Sequence, residues 1–172
     1  MKRALLVIAL LFVATPAFAQ APAHSGFTVF ANLGVGFQND TFYEETATGL
    51  AGLNFGAGWF VTERMAVMGR FSGTVATFEA PDPDLSQASG VWAGTIQYWI
   101  NRWASVEVGG GYGTWRDENS VKDNGFGLVI GFHASVFQKG AHHIRAGFEY
   151  APVFTDQAVH NMGVVVGYQY AK

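Results

Sequence analysis

The stretch LNFGAGWFVTERMAVMGRF, Leu53 to Phe71, decides the fold. Leu53, Phe55, Ala57 and Trp59 alternate with Asn54, Gly56 and Gly58; after the polar break Val61-Thr62-Glu63-Arg64, Met65, Val67 and Phe71 alternate with Arg70 and Ser72. A period of two means strands, so the stretch reads as a β-hairpin. One face is bulky and apolar, the other mostly glycine with an occasional Asn, Ser or Arg. A water-facing sheet carries charge outside and fills its inside, so here the bulky face belongs on the outside of a structure that sits in lipid.

The same pattern recurs along the chain. Strands are expected at Gly26–Gln38, Thr48–Phe60, Met65–Phe78, Gly90–Ile100, Ala104–Trp115, Gly125–Phe137, His143–Phe154 and Asn161–Tyr170. Eight is an even number, and the segments are close to the 9 to 11 residues a tilted membrane strand requires. The expected fold is all-β: an eight-stranded, antiparallel, up-and-down transmembrane β-barrel. Glu79 to Ala88 carries two prolines and three acids and reads as a loop.

The first nineteen residues show Lys2 and Arg3, an apolar run from Ala4 to Val13, and the small-x-small end Ala17-Phe18-Ala19. They read as a cleavable signal peptide, residues 1–19, cut after Ala19. The apolar run is about half of the roughly 20 residues a spanning helix needs. Residues 20–172 then form one barrel domain, with a formal charge of −5 once Lys2 and Arg3 are removed from the −3 of the whole chain. With no cysteine the chain has neither a disulfide nor a lipid-attachable thiol. Its 22 Gly, 15 Phe, 6 Tyr and 5 Trp among few charges suit a membrane barrel better than a soluble sandwich.

The connections alternate short and long, which places the short turns and both termini on the periplasmic side. The longer loops carry Asp40, Glu44, Glu45, Glu79, Asp82, Asp84, Asp117, Glu118, Asp123 and Asp156, an acidic rim read as a solvated surface. Aromatic residues form two expected girdles: Trp59, Tyr98, Trp103, Tyr168 and Tyr170 near the turns, Phe37, Phe78, Trp92, Trp115 and Tyr150 near the loops. The inward face carries a candidate lumenal polar network of Arg70, Glu107, His133, Arg145 and Glu149. Counting from the turns sets opposite charges at shared depths, so Arg70 is expected to pair with Glu107 or Glu149, and Arg145 with Glu107.

The hairpin GAGWFVTERMAVMGRFS, Gly56 to Ser72, and the final strand are similar to those of the small eight-stranded outer-membrane β-barrel proteins of Gram-negative bacteria, the group of the OmpA transmembrane domain and OmpX. The resemblance implies an integral outer-membrane protein, a monomer with a structural or surface-interaction role in the envelope. It also implies an assembly signal at Asn161, Gly163, Val166 and Tyr168, although this chain ends Tyr170-Ala171-Lys172 where the family ends on an aromatic residue. Implied partners are outer-membrane lipid and lipopolysaccharide, periplasmic chaperones and the barrel-assembly machinery; no nucleic acid, cofactor or peptidoglycan-binding domain is expected.

Three alternatives are weighed against this reading. His133, Ser135 and Glu149 invite a lipid A-modifying acyl hydrolase, but they alternate onto the glycine face, away from lipid. A narrow small-solute channel is the second, although side chains nearly fill an eight-stranded interior. A soluble lipocalin-like binding barrel would put the glycine face, with only four formal charges, in water. No catalytic or metal site is expected; His142 and His143 are strand neighbours, point to opposite faces and cannot share an ion.

Overall fold

The computed structural model describes residues 23–40, 45–78, 85–117, 122–156 and 158–172. The expected signal peptide lies outside them, as do Glu44, Glu79, Asp82, Asp84 and Glu118 of the acidic rim. Among the described residues there is no helix long and apolar enough to cross a membrane.

Among the described residues nine strands form one antiparallel sheet: β1 (Gly26–Asp40), β2 (Glu45–Thr62), β3 (Met65–Phe78), β4 (Leu85–Asn101), β5 (Ala104–Asp117), β6 (Lys122–Lys139), β7 (His142–Tyr150), β8 (Val153–Phe154) and β9 (Ala158–Ala171). β7 and β8 are two parts of one stave, both lying between β6 and β9, so the sheet has eight staves. Consecutive staves pair, and β1 pairs with β9 from Thr28↔Ala171 to Asp40↔Val159, which closes the ring and leaves no edge.

The registers fix the width. From Phe27, partners run through Trp59, Val67, Ile96, Val108, Ile130, Tyr150 and Met162, and the path returns to β1 at Phe37, ten residues further along. A ten-residue stagger over eight staves about 4.8 Å apart, at about 3.3 Å rise per residue, gives a tilt of about 41° and a backbone radius of about 8 Å.

The turns have local causes. Thr62 Oγ1 accepts the backbone N–H groups of Arg64 (3.3 Å) and Met65 (3.0 Å), and Asn101 Oδ1 accepts those of Trp103 (2.7 Å) and Ala104 (2.9 Å). Gly140 supplies the third turn with φ +60°. Within β2, Gly52 at φ +73° marks a bulge: Ala51 and Gly52 both face inward, and the outward phase moves from Leu50 to Leu53.

Two expectations on strand extent are corrected. Seven staves are 14 to 18 residues long, and all of these but β3 outrun their expected segments, with much of the surplus at the loop end, in polar segments such as Lys122–Asn124. His143–Phe154 is not one strand either. Pro152 has no N–H to donate, so the stave breaks there, yet the wall stays closed because Leu128 N donates to Pro152 O (3.1 Å) and Ala151 N to Asn161 O (2.9 Å).

The polarity of the barrel is inverted. Val35 and Val136 are 66% and 64% exposed, and Phe37, Phe55, Ile96, Ile130 and Val164 also face out. Gln38, Gln97 and Gln169 are fully buried, with Arg70, Glu107, Arg145 and Glu149 nearly so.

Candidate functional site

The lumen is filled in three tiers. At the turn end Phe60, Met68 and Trp99 form an apolar cluster that includes Phe30 and Ala171. His24, from the segment that precedes β1, closes its mouth, stacked on Phe60 at 4.8 Å and tilted against Trp99 at 4.7 Å. At the loop end Val91, Val129 and Val153 pack together, flanked by amide and hydroxyl pairs: Gln38 Nε2 donates to Gln87 Oε1 (2.9 Å) and Ser89 Oγ to Asn161 Oδ1 (3.0 Å).

The middle tier is the polar network, and Glu149 is its centre. One carboxylate oxygen accepts from Arg70 Nη2 (2.7 Å) and, at short range, from Asn54 Nδ2; the other contacts His133 Nε2 (3.0 Å) and accepts from Asn32 Nδ2 (3.3 Å). Glu107 accepts from Thr95 Oγ1 (2.6 Å), and its other oxygen stands 2.9 Å from Arg70 Nη1, within ion-pair range but not aligned for a hydrogen bond. Arg70 therefore bridges both carboxylates.

Arg145 does not pair as the depth count suggests. It donates Nε to Asn32 Oδ1 (3.1 Å) and Nη1 to Gln169 Oε1 (2.8 Å), and its guanidinium lies 4.3 Å from the centre of the Phe30 ring. Arg70 lies 5.0 Å from the same ring. Both cations thus lie within cation–π range of one ring, and Arg145 is solvated by two amide oxygens and that ring instead of by direct contact with Glu107. The pattern that puts Phe27 and Val29 outside puts Phe30 inside, and only a glycine opposite makes room for it: a Cβ on Gly56 would stand 2.6 Å from the Phe30 ring. The two formal positive and two formal negative charges of the network cancel.

His133, Ser135 and Glu149 do not assemble a nucleophile with its base. His133 turns to Glu149, whereas Ser135 Oγ bonds His143 Nδ1 (3.0 Å), and all are buried. Beside Glu149 a cavity of about 10 Å³, lined by Asn54, Ser72, Thr74 and Asn161, has room for about one water. No group of three or more His, Cys, Asp or Glu is placed to hold a metal among the described residues.

The remaining candidate residues are distributed as follows. Asn161 is buried and donates to Ala151 O (2.9 Å), Gly163 faces the lumen, and Val166 and Tyr168 face out. Trp59 is exposed near the β2 turn; Trp103 is half-buried under Arg102, and Tyr170 half-buried against His142. Two aromatic residues depart from the expected girdles. Trp115 is buried in the lumen and donates Nε1 to Gln87 (3.3 Å). Trp92 packs on Phe71 at 4.8 Å, six residues along β4 from Tyr98. That is about 15 Å along the axis at this tilt, the middle of an apolar band about 25 Å tall and not its rim. Outward aromatic residues nearer the loop end are Phe37, Phe126 and Phe154.

A closed eight-stave barrel with an apolar outside and a polar, packed inside defines the class of small outer-membrane-type β-barrels. No protein-family model matches the sequence, and no curated protein matches it in sequence. The fold is similar to that of Neisserial surface protein A, with a TM-score of 0.64 and 15% identity, over 86% of this chain and 98% of that one. It is also similar to Ail, the attachment invasion locus protein of Yersinia pestis, with a TM-score of 0.56 and 18% identity over 85% and 99% of the two chains. The outer membrane protein OprG of Pseudomonas aeruginosa gives 0.50 and 8% over 88% and 98%. At these identities the likeness is one of fold.

Proposed function

We propose that the chain is an integral outer-membrane β-barrel with a structural or surface-interaction role in a bacterial envelope, and not an enzyme. The observation that carries this reading is the inverted polarity: a closed wall with greasy residues outside and the charged residues within is unfavourable in water and favourable in lipid. Residues 1–19 would direct export and be removed after Ala19. The short turns would lie in the periplasm, and the long-loop end, with its extended staves and acidic residues, would meet lipopolysaccharide. β9, through Asn161, Gly163, Val166 and Tyr168, would be the segment handed by chaperones to the assembly machinery. The filled lumen argues for a role carried by the outer surface instead of by conduction.

The test is fractionation of cells producing the full chain. The protein should stay with the outer membrane after a carbonate wash, begin at Gln20 by mass spectrometry, and change gel mobility on boiling in SDS. Release by carbonate, or identical mobility before and after boiling, would overturn the membrane reading.

A further inference from the structure

The turn-end mouth contains two histidines that the polar network does not use. His143, from β7, is fully buried, and its Nδ1 is held by Ser135 Oγ at 3.0 Å. His24 is 6% exposed, and its ring centre lies 5.8 Å from that of His143. Trp99 packs against both, at 4.7 Å and 5.1 Å. The Nε2 atoms of both histidines are shielded from solvent and have no hydrogen-bond partner.

The ring of His24 hydrogen-bonds the backbone of Ala171, and burial outweighs that bond to hold its imidazole below the ordinary histidine range. A carbonyl only accepts, so the proton sits on Nδ1 and the Nε2 lone pair is bare. Metal-ligating histidines donate their other ring N–H to a fixed partner; His24 does so to Ala171, and His143 matches it in the tautomer whose Nδ1–H donates to Ser135 Oγ. A ring separation of 5.8 Å suits two imidazoles sharing one ion at about 2 Å from each nitrogen. The third contribution is soft: the Met68 thioether belongs to the same buried cluster as Phe60 and Trp99, the two side chains on which His24 rests. Imidazole with thioether, and no carboxylate, selects copper(I) over harder divalent ions.

We infer that His24, His143 and Met68, packed against Trp99, form a binding site for a soft monovalent cation of the copper(I) type at the turn-end mouth. Entry requires only the segment 23–25 to lift, since no strand has to part. The site forms only when the segment before β1 folds under the barrel, so cation binding would lock that segment in place.

Silver(I), a redox-stable stand-in, tests this on the refolded barrel in chloride-free detergent solution, by tryptophan emission and imidazole nitrogen NMR. One equivalent should bind, quench Trp99 and shift both histidine Nε2 signals. His24→Phe keeps an aromatic ring on Phe60 and leaves every strand intact, which gel mobility checks; it should weaken binding at least tenfold, and Met68→Leu several-fold. His142→Asn, at the outward-facing neighbour, should leave it unchanged. No uptake of one equivalent, equal affinity in His24→Phe, or loss of binding in His142→Asn would overturn the site, leaving three rings around at most a water. Equal affinity in Met68→Leu would overturn the choice of a soft cation.

Discussion

Glu149 and Glu107 provide a direct test of what holds the lumen together, because each carries one charge and each faces Arg70, yet they differ in how many donors they satisfy. Replacing either with Gln removes the same charge and leaves the network at +1. If net charge alone mattered, the two variants would lose equal stability. The contacts indicate otherwise. Glu149 meets four side-chain nitrogens, from Arg70, His133, Asn32 and Asn54, whereas Glu107 meets Arg70 and the Thr95 hydroxyl.

A Gln at 149 offers one carbonyl oxygen with two lone pairs and turns an NH2 toward former donors. His133 can change tautomer and accept; the Asn and Arg donors on that side cannot without flipping or withdrawing. At least one buried donor is left unpaired beside a broken ion pair, and the cost falls in the range of about 3–5 kcal/mol for breaking a buried pair. At Glu107→Gln the Thr95 hydroxyl rotates to accept, and Arg70 keeps Glu149, so about half that loss is expected. Urea unfolding of the refolded proteins in lipid vesicles, followed by tryptophan emission, measures both. A loss below about 1 kcal/mol for Glu149→Gln, or one no larger than for Glu107→Gln, would refute the assignment of Glu149 as the centre and favour a wet, separately hydrated lumen.

Ile130→Arg, in the middle of the outward face of β6, should cost about 2–4 kcal/mol in the same vesicle assay, against less than about 1 for Ile130→Val if lipid surrounds that face. Gly131→Ala should cost about 1–3 kcal/mol and displace the His133 imidazole nitrogen signals, because the added Cβ would stand 2.7 Å from His133 Cε1. Gly94→Ala, whose Cβ meets nothing within 4 Å, should change stability by less than about 0.5 kcal/mol.

Much of the wall was legible in the sequence because alternation has a period of two and each stave has one face of a single character. Leu53, Phe55 and Trp59 face out, and Asn54, Gly56 and Arg70 face in, as their neighbours imply. The turns at Thr62 and Asn101 were legible because turn residues act locally. Partners inside the lumen were not. Strand count and depth bring Arg70 to Glu107 and Glu149, but Arg145 lies against the ring of Phe30, inward by parity alone, and bonds Asn32 and Gln169 instead. Trp115 and Trp92 were misplaced for a related reason: composition marks an aromatic residue as interfacial, whereas facing follows parity, and depth follows a stagger known only when β1 meets β9. His24 lies before the first periodic residue, so no pattern includes it, and its place under Phe60 and Trp99 is a tertiary fact.

The inverted polarity also changes where sequence tolerance lies. In a soluble protein the apolar side chains lose water on folding and supply most of the stability. Here the outward Val, Ile and Phe residues face hydrocarbon in the folded state, so exchanging one apolar residue for another on that face alters little, and only charge is excluded. Stability rests instead on the closed ladder of backbone bonds, which leaves no donor in lipid unpaired, and on a lumen whose polar atoms depend on one another for partners. A lumenal residue is therefore constrained by identity, an outward residue by class. Glycines divide along the same line: Gly56 and Gly131 are held by the rings of Phe30 and His133 packed over them, while Gly69 and Gly94 open outward with nothing within 4 Å of an added Cβ. Random substitution scored by refolding should thus tolerate apolar exchange at Val35, Val136 and Val164 and reject nearly every change at Arg70, Glu149 and Gly56. Comparable tolerance on the two faces would mean that the lumen is wet and loosely packed, and that backbone closure alone holds the barrel.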